Sequence, residues 1–242
     1  MLTKKNRVWA IIVLIAATMG LTSCLKNNID TTPTRPRYWM YVLNASTFST
    51  GIDFYDNGIK GNTNGAFNFD NKSTYSGYGG EHTYKINAYG KDSTLTSSTK
   101  QLDSTSYYTF LIFDATDNTV RSSFVYNDLS TCSPTAINFR FFNLSKSLGP
   151  VDVYLGSQKI LSSQTFNNGY FEPTFQQLSN ISDPSSMSIK LAGTDSVVAK
   201  NTNLFFSIGT GGVYTAYISG TPNSTGTDKL VCNTIPGYLN NY

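Results

Sequence analysis

The feature that most constrains the fold is a repeat, because the body of this 242-residue chain is written twice. Tyr38-Trp39-Met40-Tyr41-Val42-Leu43-Asn44 corresponds to Ile137-Asn138-Phe139-Arg140-Phe141-Phe142-Asn143, an offset of 143 − 44 = 99. Ile52-Asp53-Phe54-Tyr55 and Val151-Asp152-Val153-Tyr154 follow at the same offset, and each runs into a glycine turn, at Gly58 and Gly156. Tyr84 to Gly90 then aligns with Met187 to Gly193 at 193 − 90 = 103, which fits a short loop insertion. Asp92-Ser93 and Asp195-Ser196 come next, and then the pairs Tyr108-Thr109 and Tyr214-Thr215. Segments that recur in order at a nearly constant period are the mark of one structural unit used twice.

Each of these segments alternates apolar and polar residues like a strand with one buried face. In the first copy Tyr38, Met40, Val42, Ile52, Phe54, Tyr84, Ile86 and Ala88 point inward; in the second, Ile137, Phe139, Phe141, Val151, Val153, Met187, Ile189 and Leu191 do. Such faces need a second sheet to cover them. Charged residues make up 14% of the chain and aromatics another 14%, with Ser, Thr, Asn and Gly filling much of the rest, a mixture suited to strands and turns. About seven short strands in roughly 95 residues per copy is the pattern of an immunoglobulin-like β-sandwich. The expected architecture is all-β: two tandem immunoglobulin-like β-sandwich domains at 37–132 and 133–242, with the boundary near Cys132-Ser133-Pro134.

Each copy resembles the bacterial domain-of-unknown-function family numbered 4397. The resemblance is carried by a first strand ending in Asn, at Asn44 and Asn143, and by a strand running into a Gly turn. The second copy has the latter as Val151-Asp152-Val153-Tyr154-Leu155-Gly156, and the first in the looser form Ile52 to Gly58. Tyr75 through Gly80 and then Tyr84 to Gly90 carry the family's later glycine turn and strand. The second copy departs there, with Phe171-Glu172-Pro173-Thr174-Phe175 and a Ser/Asn/Asp loop at 179–186. The resemblance implies a β-sandwich, an exported and often lipid-anchored habitat, and no agreed activity.

Ahead of the repeat, Lys4, Lys5 and Arg7 precede an apolar run from Val8 to Leu21, the zones of a secretory signal at 1–23. The run is 14 residues, short of the ~20 that span a bilayer. Leu21-Thr22-Ser23-Cys24 resembles the bacterial lipobox, in which the cysteine receives a diacylglycerol and becomes the new N-terminus. Lipidation at Cys24 is therefore expected, with 24–36 as a polar tether and an outer-membrane address, on the periplasmic face or the cell surface. Stable anchoring takes two or more acyl chains, and a triacylated cysteine supplies three. Loss of the signal removes three basic groups, so 18 against 15 becomes 15 against 15, and the near-neutral remainder argues against nucleic acid as a partner.

Chemistry-bearing patterns are sparse. The single histidine, His82, lies in Gly79-Gly80-Glu81-His82-Thr83 and reads as a solvated side chain in a turn, so no catalytic residue is expected and the chain reads as a non-enzyme. No cofactor and no metal are expected, and Asp114-Ala115-Thr116-Asp117-Asn118 reads as a hairpin turn rather than a calcium loop. Asp53 and Asp152 read as framework residues. Cys132 and Cys232, 232 − 132 = 100 residues apart, are either a disulfide or two free thiols. Asp-Ser-Thr at 92–94 and at 103–105 resembles a bacterial O-glycosylation tripeptide as well as a turn.

The expected function is that of a membrane-anchored binding or scaffolding module with an envelope protein as partner. The alternative is a glycan-binding accessory of an uptake or adhesion system, with Tyr75, Tyr78, Tyr84 and Tyr89 around the glycine-rich turn as stacking rings. The competing account makes these tyrosines half-buried strand residues.

Overall fold

The computed structural model describes residues 35–205 and 207–238, and Cys24 and the signal lie outside them. Every regular element among the described residues is a strand. The first copy holds β1 (Arg37–Asn44), β2 (Ile52–Asp56), β3 (Ile59–Lys60), β4 (Lys72–Tyr78), β5 (Gly80–Ala88), β6 (Thr94–Leu102), β7 (Tyr107–Asp114) and β8 (Val120–Tyr126). The second holds β9 (Ile137–Asn143), β10 (Val151–Leu155), β11 (Gln158–Gln164), β12 (Gln176–Leu178), β13 (Met187–Leu191), β14 (Val197–Asn201), β15 (Val213–Ser219) and β16 (Val231–Pro236).

The repeat extends to topology and register. Sheets ordered β4-β1-β7-β8 and β3-β2-β5-β6 in the first copy recur as β12-β9-β15-β16 and β11-β10-β13-β14 in the second. In both, the first strand runs parallel to the seventh, with Asn44 opposite Ile112 and Asn143 opposite Ile218. The repeated aspartates also match, Asp53 opposite Asn87 and Asp152 opposite Lys190. Each copy thus has eight strands rather than about seven, in two sheets of four. The glycine turns close two-residue hairpins: Asn57 and Gly58 both take positive φ, at 47° and 82°, and Gly156 takes 57°. Those are the left-handed values that tight hairpins demand at their central positions.

The inward residues read from alternation do form the cores. Tyr38, Met40, Val42, Ile52, Phe54, Tyr84 and Ile86 pack between the two sheets of the first copy. Ile137, Phe139, Phe141, Val151, Val153, Met187 and Ile189 do the same in the second, with Leu191 packed against them. The opposite faces of β1 and β9 were expected to meet solvent, and here the structure differs. Tyr41, Leu43, Leu111, Phe113 and Val125 of the first copy form a third apolar cluster with Phe142, Tyr217 and Ile235 of the second. The two copies are therefore fused through their β1- and β9-bearing sheets into four stacked layers with three cores. The cause is composition: β1, β7, β9 and β15 carry near-continuous apolar runs, the pattern of strands buried on both faces.

Arg140 carries a charge into this seam. At the centre of β9, it is 4% exposed and makes no ion-pair contact with a carboxylate among the described residues. Its guanidinium donates to Thr215 Oγ1 at 2.8 Å, to Thr109 Oγ1 at 3.1 Å and to Asn127 Oδ1. It also donates to the carbonyls of Tyr126, Glu172 and Pro173. Thr109 and Thr215 are the repeat-related threonines, so the group sits between equivalent positions of the two copies. Phe175 lies 4.3 Å from the guanidinium carbon and Phe142 5.0 Å. Burial pulls its proton affinity down to about 9, which leaves it charged at neutral pH.

The departure of the second copy at 171–175 is explained here. Phe171 meets the rings of Phe113 and Phe142 edge-on, while Glu172 and Pro173 supply carbonyls to Arg140 and Phe175 packs against it. The segment seals the seam. Truncating Arg140 orphans several buried acceptors, each worth ~1–3 kcal/mol, so Arg140→Ala is expected to cost at least ~3 kcal/mol. Urea unfolding followed by tyrosine fluorescence is expected to show one transition for the whole body, shifted to lower urea in the variant; two separate transitions would show that the copies unfold independently.

Candidate functional site

The four candidate stacking tyrosines do not form a platform. Tyr84 is fully buried in the first core, its ring stacked on Phe54 and 4.7 Å from that of Phe124. Strand alternation had already placed it inward, and alternation prevails over its neighbourhood of turn glycines. Tyr75 is half-buried, with its hydroxyl donated to Asp56 Oδ2 at 2.9 Å. Tyr78 and Tyr89 are exposed, the first beneath the Arg37 guanidinium at 4.9 Å and the second near Lys60 Nζ at 5.4 Å.

What the sequence around His82 builds instead is a closed polar knot. Asp56 ends β2, and its carboxylate receives Tyr75 and Tyr38 and faces His82 Nδ1 at 2.8 Å. His82 Nε2 faces the Tyr78 carbonyl at 2.8 Å, and the hydroxyls of Tyr38 and Tyr84 share a short hydrogen bond. His82 is thus a strand residue of β5 with a side chain only 12% exposed, not a solvated turn residue. Burial, reinforced by the Asp56 charge, raises the Tyr38, Tyr75 and Tyr84 hydroxyls well above the usual phenol range. These protons stay in place at any physiological pH. Gly77 permits the packing, since a Cβ there would lie 2.6 Å from the Tyr38 hydroxyl. Both ring nitrogens of His82 are thus engaged within the fold.

The other candidate groups are framework. Asp53 accepts from Lys60 at 2.7 Å, from the Asn62 amide and from the Gly90 N–H. Asp152 accepts from Lys159 at 2.9 Å and from the Ser163 and Gly193 N–H groups. Asp114 is bound by Ser46 and Thr47, while Asp117 is bound by Thr119 and Arg121, so the hairpin's two carboxylates serve separate partners. Among the described residues, no group of three His, Cys, Asp or Glu side chains is placed to hold a metal. Cys132 and Cys232 are free thiols, and burial of Cys232 pushes its thiol up to about 12.

The feature with the shape of a site is a groove of about 560 Å³ beside β4. It is lined by Val42 and Phe54 from the core, by 61–67 and 70–75 of the first copy, and by Phe205 of the second. Most of that lining is the β3–β4 connection, and Phe205 arrives from 205 − 75 = 130 residues further along. Only Tyr75 is common to the groove and the tyrosines chosen from the sequence. Asn62 fixes the connection: its amide accepts from the Phe54 N–H and donates to Ile52 O, Asp53 and Gly65 O. Asp70 is tied to Lys72 at 3.0 Å and to the Tyr217 hydroxyl of the second copy at 2.6 Å.

The repeated aspartates generate a pH prediction. Burial opposes the Asp53 charge, but Lys60, Gly90 and Asn62 outweigh it, and Ser163 N–H and Lys159 stabilise that of Asp152; both carboxyls are held below their usual value. A depressed carboxyl contributes stability above its unfolded pKa of about 3.9 and loses it as pH falls through the folded value. Asp53→Asn and Asp152→Asn are each expected to cost ~1–3 kcal/mol at pH 7 in urea melts. The cost should shrink as the pH is lowered from about 3.9 through the depressed folded value, and a loss that stays constant across that range would refute the charge-based account.

No curated protein matches this chain. A family model does match, from Trp39 in β1 through the whole first copy to Tyr154 in β10 of the second. At residues 39–154 the chain carries the domain described as Domain of unknown function (DUF4397).

Proposed function

We propose that this chain is a non-enzymatic cell-envelope lipoprotein that works by binding or scaffolding, with the second copy a diverged member of the same domain family. The observation that carries the binding role is the groove beside β4, within the 300–1,000 Å³ of typical ligand sites at about 560 Å³. The non-enzymatic role is supported by His82, whose two nitrogens are bound within the fold. The anchor rests on the order Lys4-Lys5, apolar run, Leu21-Thr22-Ser23-Cys24. Fusion of the copies through a shared core supports scaffolding, because it yields one stiff body in place of two jointed beads.

The glycan-accessory alternative is favoured by the same groove, whose lining is mostly amides, hydroxyls and aromatic rings. For the anchor, Cys24→Ala is expected to move the protein from the membrane pellet to the soluble envelope fraction, and metabolic labelling with an alkyne fatty acid should be lost with it. A variant that stays in the pellet, or a wild type that takes up no label, would defeat the lipoprotein reading.

A further inference from the structure

We propose that the groove beside β4 is a binding site for a neutral carbohydrate chain, an inference that rests on the binding role above and gives it a ligand class. The first argument is charge. Among the described residues of the lining, the ionisable carboxylate and ammonium groups are Asp70 and Lys72, and each is satisfied by the protein. Lys72 Nζ contacts Asp70 Oδ2 at 3.0 Å and the Asp70 carbonyl at 2.7 Å, and Asp70 Oδ1 accepts from Tyr217. An ionic ligand would find no unpaired counter-charge here, and would have to break a partly buried pair to obtain one.

The second argument is the supply of open polar groups. Asn64 and Asn71 are exposed in the lining, and neither side-chain amide bonds to any described residue, in contrast to the fully engaged Asn62. The hydroxyls of Thr63 and Thr74 are likewise exposed there. An amide presents a donor and an acceptor side by side, which matches the spacing of vicinal hydroxyls on a sugar ring. Aromatic rings accompany them: Phe205 is 54% exposed at the groove, and Tyr75 forms part of the wall. The electron-rich face of such a ring attracts the C–H-bearing face of a pyranose.

The third argument weighs against the obvious rival, an extended peptide added to the free edge of β4. Strand addition needs open backbone acceptors in a row. The carbonyls of Asp70, Thr74 and Ser76 each already accept a side-chain donor, from Lys72, Ser73 and Arg37 respectively. The edge is capped, and recognition falls to side chains.

The test uses the full-length protein in a detergent without a sugar headgroup, titrated calorimetrically with maltohexaose, cellohexaose, xylohexaose and mannohexaose. An oligogalacturonate of equal length serves as the acidic comparison. Saturable binding of at least one neutral hexasaccharide is expected, weakened tenfold or more by the double variant Asn64→Ala/Asn71→Ala and by Phe205→Ala. Tyr78→Ala and Tyr89→Ala, which lie outside the groove, are expected to bind as the parent does. Both asparagines are exposed, so a folding defect in the double variant is not anticipated, and its urea midpoint is measured alongside. No binding of any neutral sugar, preference for the oligogalacturonate, or binding indifferent to the Asn64/Asn71 change would each overturn the proposal. Binding accompanied by new reducing ends would support the groove while overturning the non-enzymatic reading.

Discussion

The rest of the architecture depends on burying one charge, without a carboxylate in direct contact among the described residues, at the seam between the two copies. A guanidinium without a carboxylate is costly to take out of water unless its N–H groups find acceptors. Arg140 finds six oxygens, three of them backbone carbonyls, and they come from both copies and from the 171–175 segment. Such a site exists only when the two sheets and the sealing segment are all in place. The apolar contacts around it supply the bulk of the attraction, but they are non-directional. The arginine supplies geometry, selecting one arrangement of the two greasy faces over others that bury similar area.

That seam also explains which features of the fold can be read from the chain. The period of 99 to 106 residues, the alternation in β2, β5, β10 and β13, and the glycine turns all report local or copy-internal physics, and they carry through to register. The fusion of the copies was legible too, in Leu111-Ile112-Phe113 and Phe141-Phe142, whose uninterrupted apolar character suits strands covered on both sides. A lone arginine within the latter strand was the accompanying signal. The two sandwiches expected from the sequence are both present, and what a one-sided reading of those runs leaves out is the core they share.

The candidate site was less legible for a different reason. Residues 61–75 carry Gly, Asn, Ser and Thr, the same composition a solvated turn would have, and nothing local distinguishes a groove wall from a loop. Its aromatic component, Phe205, comes from the other copy and is invisible to any window shorter than the separation between them. Conversely, Tyr84 sat among glycines that suggested exposure, yet it occupies the interior because its strand parity and its hydroxyl partner Tyr38 both lie inside.

The corresponding connections of the two copies, 61–71 and 165–175, have taken opposite employments. One frames an opening to solvent, whereas the other turns inward with Phe171 and Phe175 and becomes a plug. Duplication ordinarily leaves a spare, and a spare can be deleted. Here the two copies are put to different uses, and neither half can be shed without exposing the other's apolar outer face to water.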